Sequence, residues 1–399
     1  MLLKSSWHKF IEKNKVTFGF YKVFPHHALL LRFIDNFLTL LSFLISKVNG
    51  LRSQRTLGDF SNYNNISSIL ILEPYGIGDA IVSTCLINPL KEKYPGVFVC
   101  ALLHEKTGGL LDSTFDHVIY INPPWTISSG RYSPKNYFNR KFISKIKTLR
   151  SVQYDMIIDA RCDFRLSLLM KILKGKIKVG FDYGLARYCY SHTVPYGKRS
   201  LRKDDYSKLL SALGILSSTC LPFIKIEEGS ERFTKAKSIL ADISYSPKEY
   251  FIVHLGATWK YRRWNVENVS IVAKFINKTT GLKILAIGGH ENEKAIDLLI
   301  NEVEGVKLIL PLDLLPYIIL DSRFIVCNNT GVMHIADALN IPAVVIMGPT
   351  DRETWLPSRE HLHLLFYNTD KYWCYPCNEL TCFYPNNPCI ENVSVKDVI

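Results

Sequence analysis

Short unbroken apolar runs recur along most of the chain, separated by longer segments in which apolar positions repeat every three or four residues. The first runs are Ser68–Glu73, Val97–Leu103, Met156–Asp159 and Lys178–Phe181. Runs of this kind between helical segments predict parallel strands buried on both faces. The alternation breaks around Glu227–Lys248, where Gly229 and Ser246-Pro247 signal turns. It restarts as Tyr250–Leu255, Leu282–Ile287, Gly305–Leu310, Arg323–Cys327 and Ala343–Met347. The pattern predicts two successive Rossmann-like α/β domains, 65–228 and 245–373, joined by a linker. No short-period internal repeat is present.

The first 64 residues follow a different rule. Between His27 and Gly50 the polar positions are Arg32, Asp35, Asn36, Thr39, Ser42 and Ser46, whose spacing predicts a helix with one narrow polar stripe. Its uninterrupted apolar core, Phe37–Val48, is about 18 Å long as a helix. A bilayer core is about 30 Å thick. Extension back to Ala28 reaches that length but takes in Arg32 and Asp35, each costing roughly 2.5–3.5 kcal/mol at the membrane centre. A spanning helix is therefore disfavoured. Two expectations stand: a helix lying in a membrane surface, or one packed on the globular body.

Composition narrows the function classes. The chain has 399 residues with 49 Lys+Arg against 36 Asp+Glu, a formal charge of +13. Its 47% hydrophobic content excludes a wholly disordered or collagen-like chain. No apolar run is long enough for a polytopic membrane protein, and no signal peptide is read at the basic N-terminus. The positive charge points to an anionic partner. Residues 1–60 carry nine basic residues against three acidic ones, and Arg131–Arg150 carries seven basic residues and no acid. No arginine-rich tail, zinc finger or RNP-type motif accompanies them, so nucleic acid is the weaker choice. The ten cysteines are too dilute for a disulfide scaffold, and a reducing, cytoplasmic setting is expected. Cys85, Cys100, Cys162, Cys189, Cys220 and Cys327 read as small core hydrophobes. Cys374, Cys377, Cys382 and Cys389 lie within sixteen residues in the segment 374–399; they suit zinc, disulfides or structural thiols.

Candidate chemistry sits where strands end. After the first strand come Gly76-Ile77-Gly78-Asp79 and a helix expected over Ala80–Tyr94. The glycines allow close backbone approach to a ligand, and helix amides favour negative charge. Ile81 stands where a dinucleotide fingerprint needs its third glycine, and the Gly-Lys-Ser/Thr of a P-loop is absent. Asp79 is either a helix cap or a general base. In the second half, Thr258 with Lys260, Arg262 and Arg263 forms a basic loop suited to a diphosphate, although a merely solvated loop fits too. Gly288-Gly289 precedes Glu291, an acid placed to reach a ribose. Asn328-Asn329-Thr330-Gly331 opens the helix that carries His334, and Gly348-Pro349-Thr350 closes the last run.

This ordered set resembles glycosyltransferase family 9, the lipopolysaccharide heptosyltransferase-like enzymes, over roughly residues 66–399. The resemblance rests on Gly76–Asp79, His254-Leu255-Gly256, Arg262-Arg263-Trp264, Gly288-Gly289, Asn329–His334, Gly348-Pro349-Thr350 and the cysteine loop. It implies a GT-B architecture: an N-terminal acceptor domain and a C-terminal domain for a nucleotide-diphosphate sugar, commonly ADP-heptose, facing a central cleft. It implies inverting transfer without a metal ion or other cofactor, onto an anionic glycolipid or lipopolysaccharide-type acceptor. Asp79 would be the base, and Thr258, Arg262, Thr330 and Gly331 the phosphate contacts. Asn329, Glu291 and Glu293 would face the donor sugar or ribose, and Arg165 the acceptor. Peripheral contact with the inner face of the cytoplasmic membrane is a further expectation. Two departures matter: Asn329 replaces the family's usual acid, which puts heptose in question, and Arg262 stands where Lys is common. The alternatives are another GT-B enzyme, such as a nucleotide-sugar epimerase, or a catalytically silent sugar-nucleotide-binding protein.

Overall fold

The computed structural model describes residues 25–48, 63, 65–126, 134–159, 161, 163–195, 200–215, 220–257, 260–377, 382–384 and 386–399. Six parallel strands form a first sheet: β1 (Ser68–Glu73), β2 (Phe98–His104), β3 (His117–Ile121), β4 (Gln153–Asp159), β5 (Lys174–Asp182) and β6 (His192–Pro195). Their spatial order is β3-β2-β1-β4-β5-β6. A second parallel sheet holds β7 (Tyr250–His254), β8 (Lys283–Gly288), β9 (Gly305–Ile309), β10 (Ile325–Asn328), β11 (Ala343–Met347) and β12 (His363–Tyr367). Its order, β12-β11-β10-β7-β8-β9, is the same winding. Each sheet thus reverses direction once, between β1 and β4 and between β7 and β10. Ligands of such sheets bind beyond the strand C-termini at that reversal.

Burial explains why these runs are strands. Ile69, Leu70, Ile71 and Leu72 of β1 are at most 1% exposed, so side chains on both faces of the strand are covered. Contacts group Glu12–Thr107 with Thr114–Cys220 in one compact unit. Gly108–Ser113 groups with Leu221–Ile399 in the other, where Arg232 binds Asp313 at 2.9 Å and donates to the Gly109 carbonyl at 3.2 Å.

Several local expectations are revised. The helix expected over Ala80–Tyr94 is two helices, Ile77–Ser83 and Ile87–Lys93, separated by a tight turn at Thr84–Leu86. Pro89 falls in the first turn of the second helix, where its missing amide hydrogen costs nothing. Part of the expected linker is the helix Glu231–Asp242, capped by Ser230, whose hydroxyl accepts from the Phe233 amide at 3.2 Å. Cys85 and Cys220 are not separate core residues: their sulfurs form a disulfide across a sequence separation of 135. Sequence spacing carries no signal for a pair so far apart. Cys100 and Cys327 are buried thiols as expected, while Cys162 lies outside the described residues.

Cys374, Cys377, Cys382 and Cys389 are in no disulfide, and among the described residues no group of three or more His, Cys, Asp or Glu is placed to hold a metal. The chain closes in two single-turn helices, Pro388–Glu391 and Val395–Val398. The N-terminal helix runs from Pro25 to Val48, and no described helix is long and apolar enough to cross a membrane.

Candidate functional site

At the reversal of the first sheet, Glu73 ends β1, and the helix Ile77–Ser83 starts directly after the turn Pro74-Tyr75-Gly76. Asp79 is the third residue of that helix rather than its cap. Its carboxylate turns back to accept from the Gly76 amide at 3.0 Å, which satisfies a donor the helix leaves open. A Cβ on Gly76 would stand 2.7 Å from Asp79 Oδ2, so a side chain there would push the carboxylate from its place. From the loop after β4, Arg161 Nη1 donates to Asp79 Oδ1 at 2.8 Å. Its Nε lies 3.6 Å from Glu73 Oε1, and its guanidinium covers the Tyr75 ring at 4.3 Å. The Asp79 and Arg161 side chains are 3% and 1% exposed. Such a pair is coupled in the dry interior, and loss of one partner strands the other.

Around this pair lies a buried polar network. Tyr206 donates to Glu73 at 2.7 Å, and Tyr75 donates to Asp163 at 2.7 Å. Arg202 pairs with Asp205 at 3.1 Å. Burial pushes Glu73 above the usual carboxylate range, with Arg161 opposing. Burial also raises Asp159 to about 7 against the hydrogen bond it accepts from Tyr190. Arg165 opens the helix Phe164–Ile172, where Asp163 grips its Nε at 2.8 Å and its Nη2 at 2.5 Å. Its guanidinium also lies 5.7 Å from the Trp125 ring. Beyond β3, a cavity of about 540 Å³ is lined by Glu105, Asn122, Asn139, Arg140, Lys141 and Lys145. Arg140, Lys141 and Lys145 bring part of the basic Arg131–Arg150 segment to this cavity; 131–133 lie outside the described residues.

The second sheet presents a different surface at its reversal. Asn328 ends β10 and bridges to β7: its amide donates to the Leu255 carbonyl at 3.0 Å, and its oxygen accepts from the Trp264 amide at 3.1 Å. This fixes the loop that carries Arg262. Thr330 caps the helix Gly331–Ala338 in extended conformation, yet makes no side-chain capping bond. Its buried hydroxyl has no partner, and the same holds for Thr350 Oγ1 and Arg262 Nε. Buried polar atoms left unsatisfied cost about 1–3 kcal/mol each, and three of them on the strand-end loops of one sheet fit a bound anion.

The other expected residues sort by position. Thr258 lies outside the described residues. Asn329 spends its amide on Met347 Sδ at 3.0 Å and the Trp355 carbonyl at 3.4 Å. Glu293 faces Lys307 at 3.2 Å, away from β7. Glu291 accepts from Asn292 at 3.0 Å, and Asn292 packs on Gly256, where a Cβ would meet its nitrogen at 2.7 Å. Gly288 and Gly289 leave room for Asn292 and Glu291, and Gly348 backs onto the Arg262 backbone. His334 is buried, edge-on to Trp355. Gly78 lies inside the first helix after β1. Sequence reasoning missed Glu73, Arg161, Asp163, Arg202 and Tyr206. The signal was present for three of them: Glu73 ends a strand, and Asp159-x-Arg161-x-Asp163 follows another at the reversal.

Two Rossmann-wound units, one with an anion-receptive strand end and the other with a buried acid–arginine network, make this a two-unit, doubly wound α/β protein. The model of glycosyltransferase family 9 (heptosyltransferase) matches residues 142–387, more than half of the chain. The chain belongs to that family and is a glycosyltransferase. It is 22% identical over 297 residues to a lipopolysaccharide heptosyltransferase 3 of Escherichia coli, covering 70% of this chain and 83% of that one. A lipopolysaccharide heptosyltransferase 1 of Escherichia coli K12 is 20% identical over 300 residues, 71% of this chain and 88% of the relative. A family 9 glycosyl transferase of Veillonella parvula superposes with a TM-score of 0.65 at 18% identity, over 77% of this chain and 87% of that chain. The ADP-heptose lipopolysaccharide heptosyltransferase II of Escherichia coli gives 0.60 at 20% identity, over 76% and 91%. The fold class is accordingly α/β of the GT-B type.

Proposed function

We propose that this glycosyltransferase moves a heptose-type sugar from an ADP-sugar to a lipopolysaccharide-core acceptor, with inversion and without a metal ion. The observation that carries the reading is the unpartnered Thr330 hydroxyl at the open end of Gly331–Ala338, beside the Arg262 loop. A leaving diphosphate supplies the acceptor atoms this end lacks. Charge developing on it would be met by the Arg262 guanidinium, the Thr330 hydroxyl and the Gly331 amide, with Thr258, outside the described residues, proposed from the sequence alone. The relatives named for ADP-heptose and lipopolysaccharide chemistry support the sugar and the acceptor.

In this reading Asp79 takes the proton of the acceptor hydroxyl while that oxygen attacks the anomeric carbon, and the nucleotide diphosphate departs from the opposite face. The basic cavity beyond β3 suits a phosphorylated saccharide, with Arg165 held by Asp163 as a fixed cation nearby. Glu291, joined through Asn292 to Gly256, suits the ribose better than Glu293, which Lys307 engages. The domain division into a 1–64 extension, an acceptor domain, a donor domain and a cysteine-rich closing segment belongs to the same proposal. Replacement of Asp79 by Asn is the test. Turnover on a lipopolysaccharide-core acceptor should fall about 10²–10⁴-fold with ADP affinity unchanged; wild-type turnover would sink the assignment.

A further inference from the structure

The helix Pro25–Val48 is built inside out. On its inner side Asp35 is 1% exposed and accepts from the Leu185 amide at 2.9 Å. Gly184 holds φ at +50° there, and a Cβ would stand 2.1 Å from the Asp35 carboxylate, so the contact demands glycine. Thr39 follows on the same side and donates to the Asp35 carbonyl at 2.6 Å. Asp35 and Thr39 of the polar stripe therefore face the protein, while Arg32 and Asn36 at its margins stand exposed. With 3.6 residues per turn, Leu30, Phe33, Phe37, Leu40, Leu41 and Leu44 share the opposite arc. They are 53%, 71%, 57%, 55%, 44% and 50% exposed. A water-facing helix normally carries its polar residues outward. A contiguous outward arc of Phe and Leu marks a surface that something covers.

We infer that this arc lies in the surface of an anionic lipid bilayer and holds the enzyme there. Charge selects the occupant. Residues 1–60 carry nine Lys and Arg against three acids, and Arg32 stands exposed beside the arc. A segment of net positive charge finds its complement in an anionic leaflet, which attracts cations near its surface, and not in a second copy of the same sign. Length selects the mode. No described helix can cross a membrane, and an amphipathic helix of this kind lies in the interfacial plane with its apolar residues in the acyl boundary. The inference stands apart from the choice of sugar, donor and base.

The test is flotation of the full chain with vesicles of phosphatidylethanolamine and phosphatidylglycerol, against vesicles of phosphatidylcholine alone. The wild type should float with the anionic vesicles and bind the neutral ones about tenfold more weakly. Joint substitution Phe33→Ser, Phe37→Ser and Leu40→Ser should lower anionic binding by at least about tenfold, with an unchanged melting temperature. In a second measurement, Phe37→Trp should shift its emission to the blue on addition of anionic vesicles. A wild type that stays at the bottom, a triple variant that floats like it, or a tryptophan that stays in water overturns the inference. So does a wild-type dimer that the triple variant converts to monomer, which would give the face to a second copy.

Discussion

Arg161 reaches Asp79 from 82 residues away and shares its charge with Glu73 in a space from which water is nearly absent. Arg161→Ala leaves two buried carboxylates without their cation and should destabilise the protein by about 3–5 kcal/mol, read by denaturant unfolding. Arg161→Lys keeps the charge but loses the planar fork that reaches both acids. A weaker opposite charge lets a carboxylate hold its proton longer. If Asp79 is the base, the acidic limb of the kcat/KM profile should therefore move to higher pH in Arg161→Lys; an unmoved limb would separate the pair from catalysis. Asp159 gives a second pH signal. Its folded pKa of about 7 lies above the ordinary carboxylate value, so the folded state binds the extra proton between about 4 and 7. The wild type should lose stability relative to Asp159→Asn as pH rises through that window, and unfolding midpoints taken across it will show whether the gap closes.

Thr330 tests how one helix end divides between stability and binding. Because its hydroxyl makes no capping bond, Thr330→Val should change stability by no more than about 0.5 kcal/mol. A hydrogen bond to a charged group is worth about 1.5–3 kcal/mol, so ADP should bind roughly tenfold or more weakly. Calorimetry that finds a stability loss and no binding loss would make Thr330 an ordinary cap. Among the elements, nine strands were legible in the sequence, and one of them, the edge strand β9, is only half-buried and carries Lys307 at its centre. The strands that escaped notice, β3, β6 and β12, lie at sheet edges. Edge position explains this: His117–Tyr120 of β3 is half-exposed, β6 has four residues ending in Pro195, and β12 alternates buried His363 with exposed Leu364. None of the three needs the continuous apolar run that marks a strand covered on both faces. The helix Glu231–Asp242 was hidden by flanking turn signals that mark its ends.

The same division holds for the whole molecule. Two α/β units were legible because each repeats the strand–helix alternation, and strand-end loops were legible as sites because winding of this kind places ligands there. Side-chain pairings across the fold were not: Arg161–Asp79, Tyr206–Glu73 and Cys85–Cys220 join segments 82, 133 and 135 residues apart. Such pairs exist only once the sheets have formed. The donor site we propose, by contrast, draws its described residues from loops of the second sheet alone: Arg262 after β7, Glu291 after β8, Thr330 after β10 and Thr350 after β11. ADP should therefore act on the second unit directly. At 100 times its dissociation constant it should stabilise the folded chain by about 2.7 kcal/mol. Hydrogen exchange with and without ADP should show new protection at the amides of 329–335 and 288–292, the strand-end loops that flank β7. Protection that appears instead along Gly76–Asp79 and Arg161 would place the nucleotide at the first sheet, and Asp79 would then be a donor contact rather than a base.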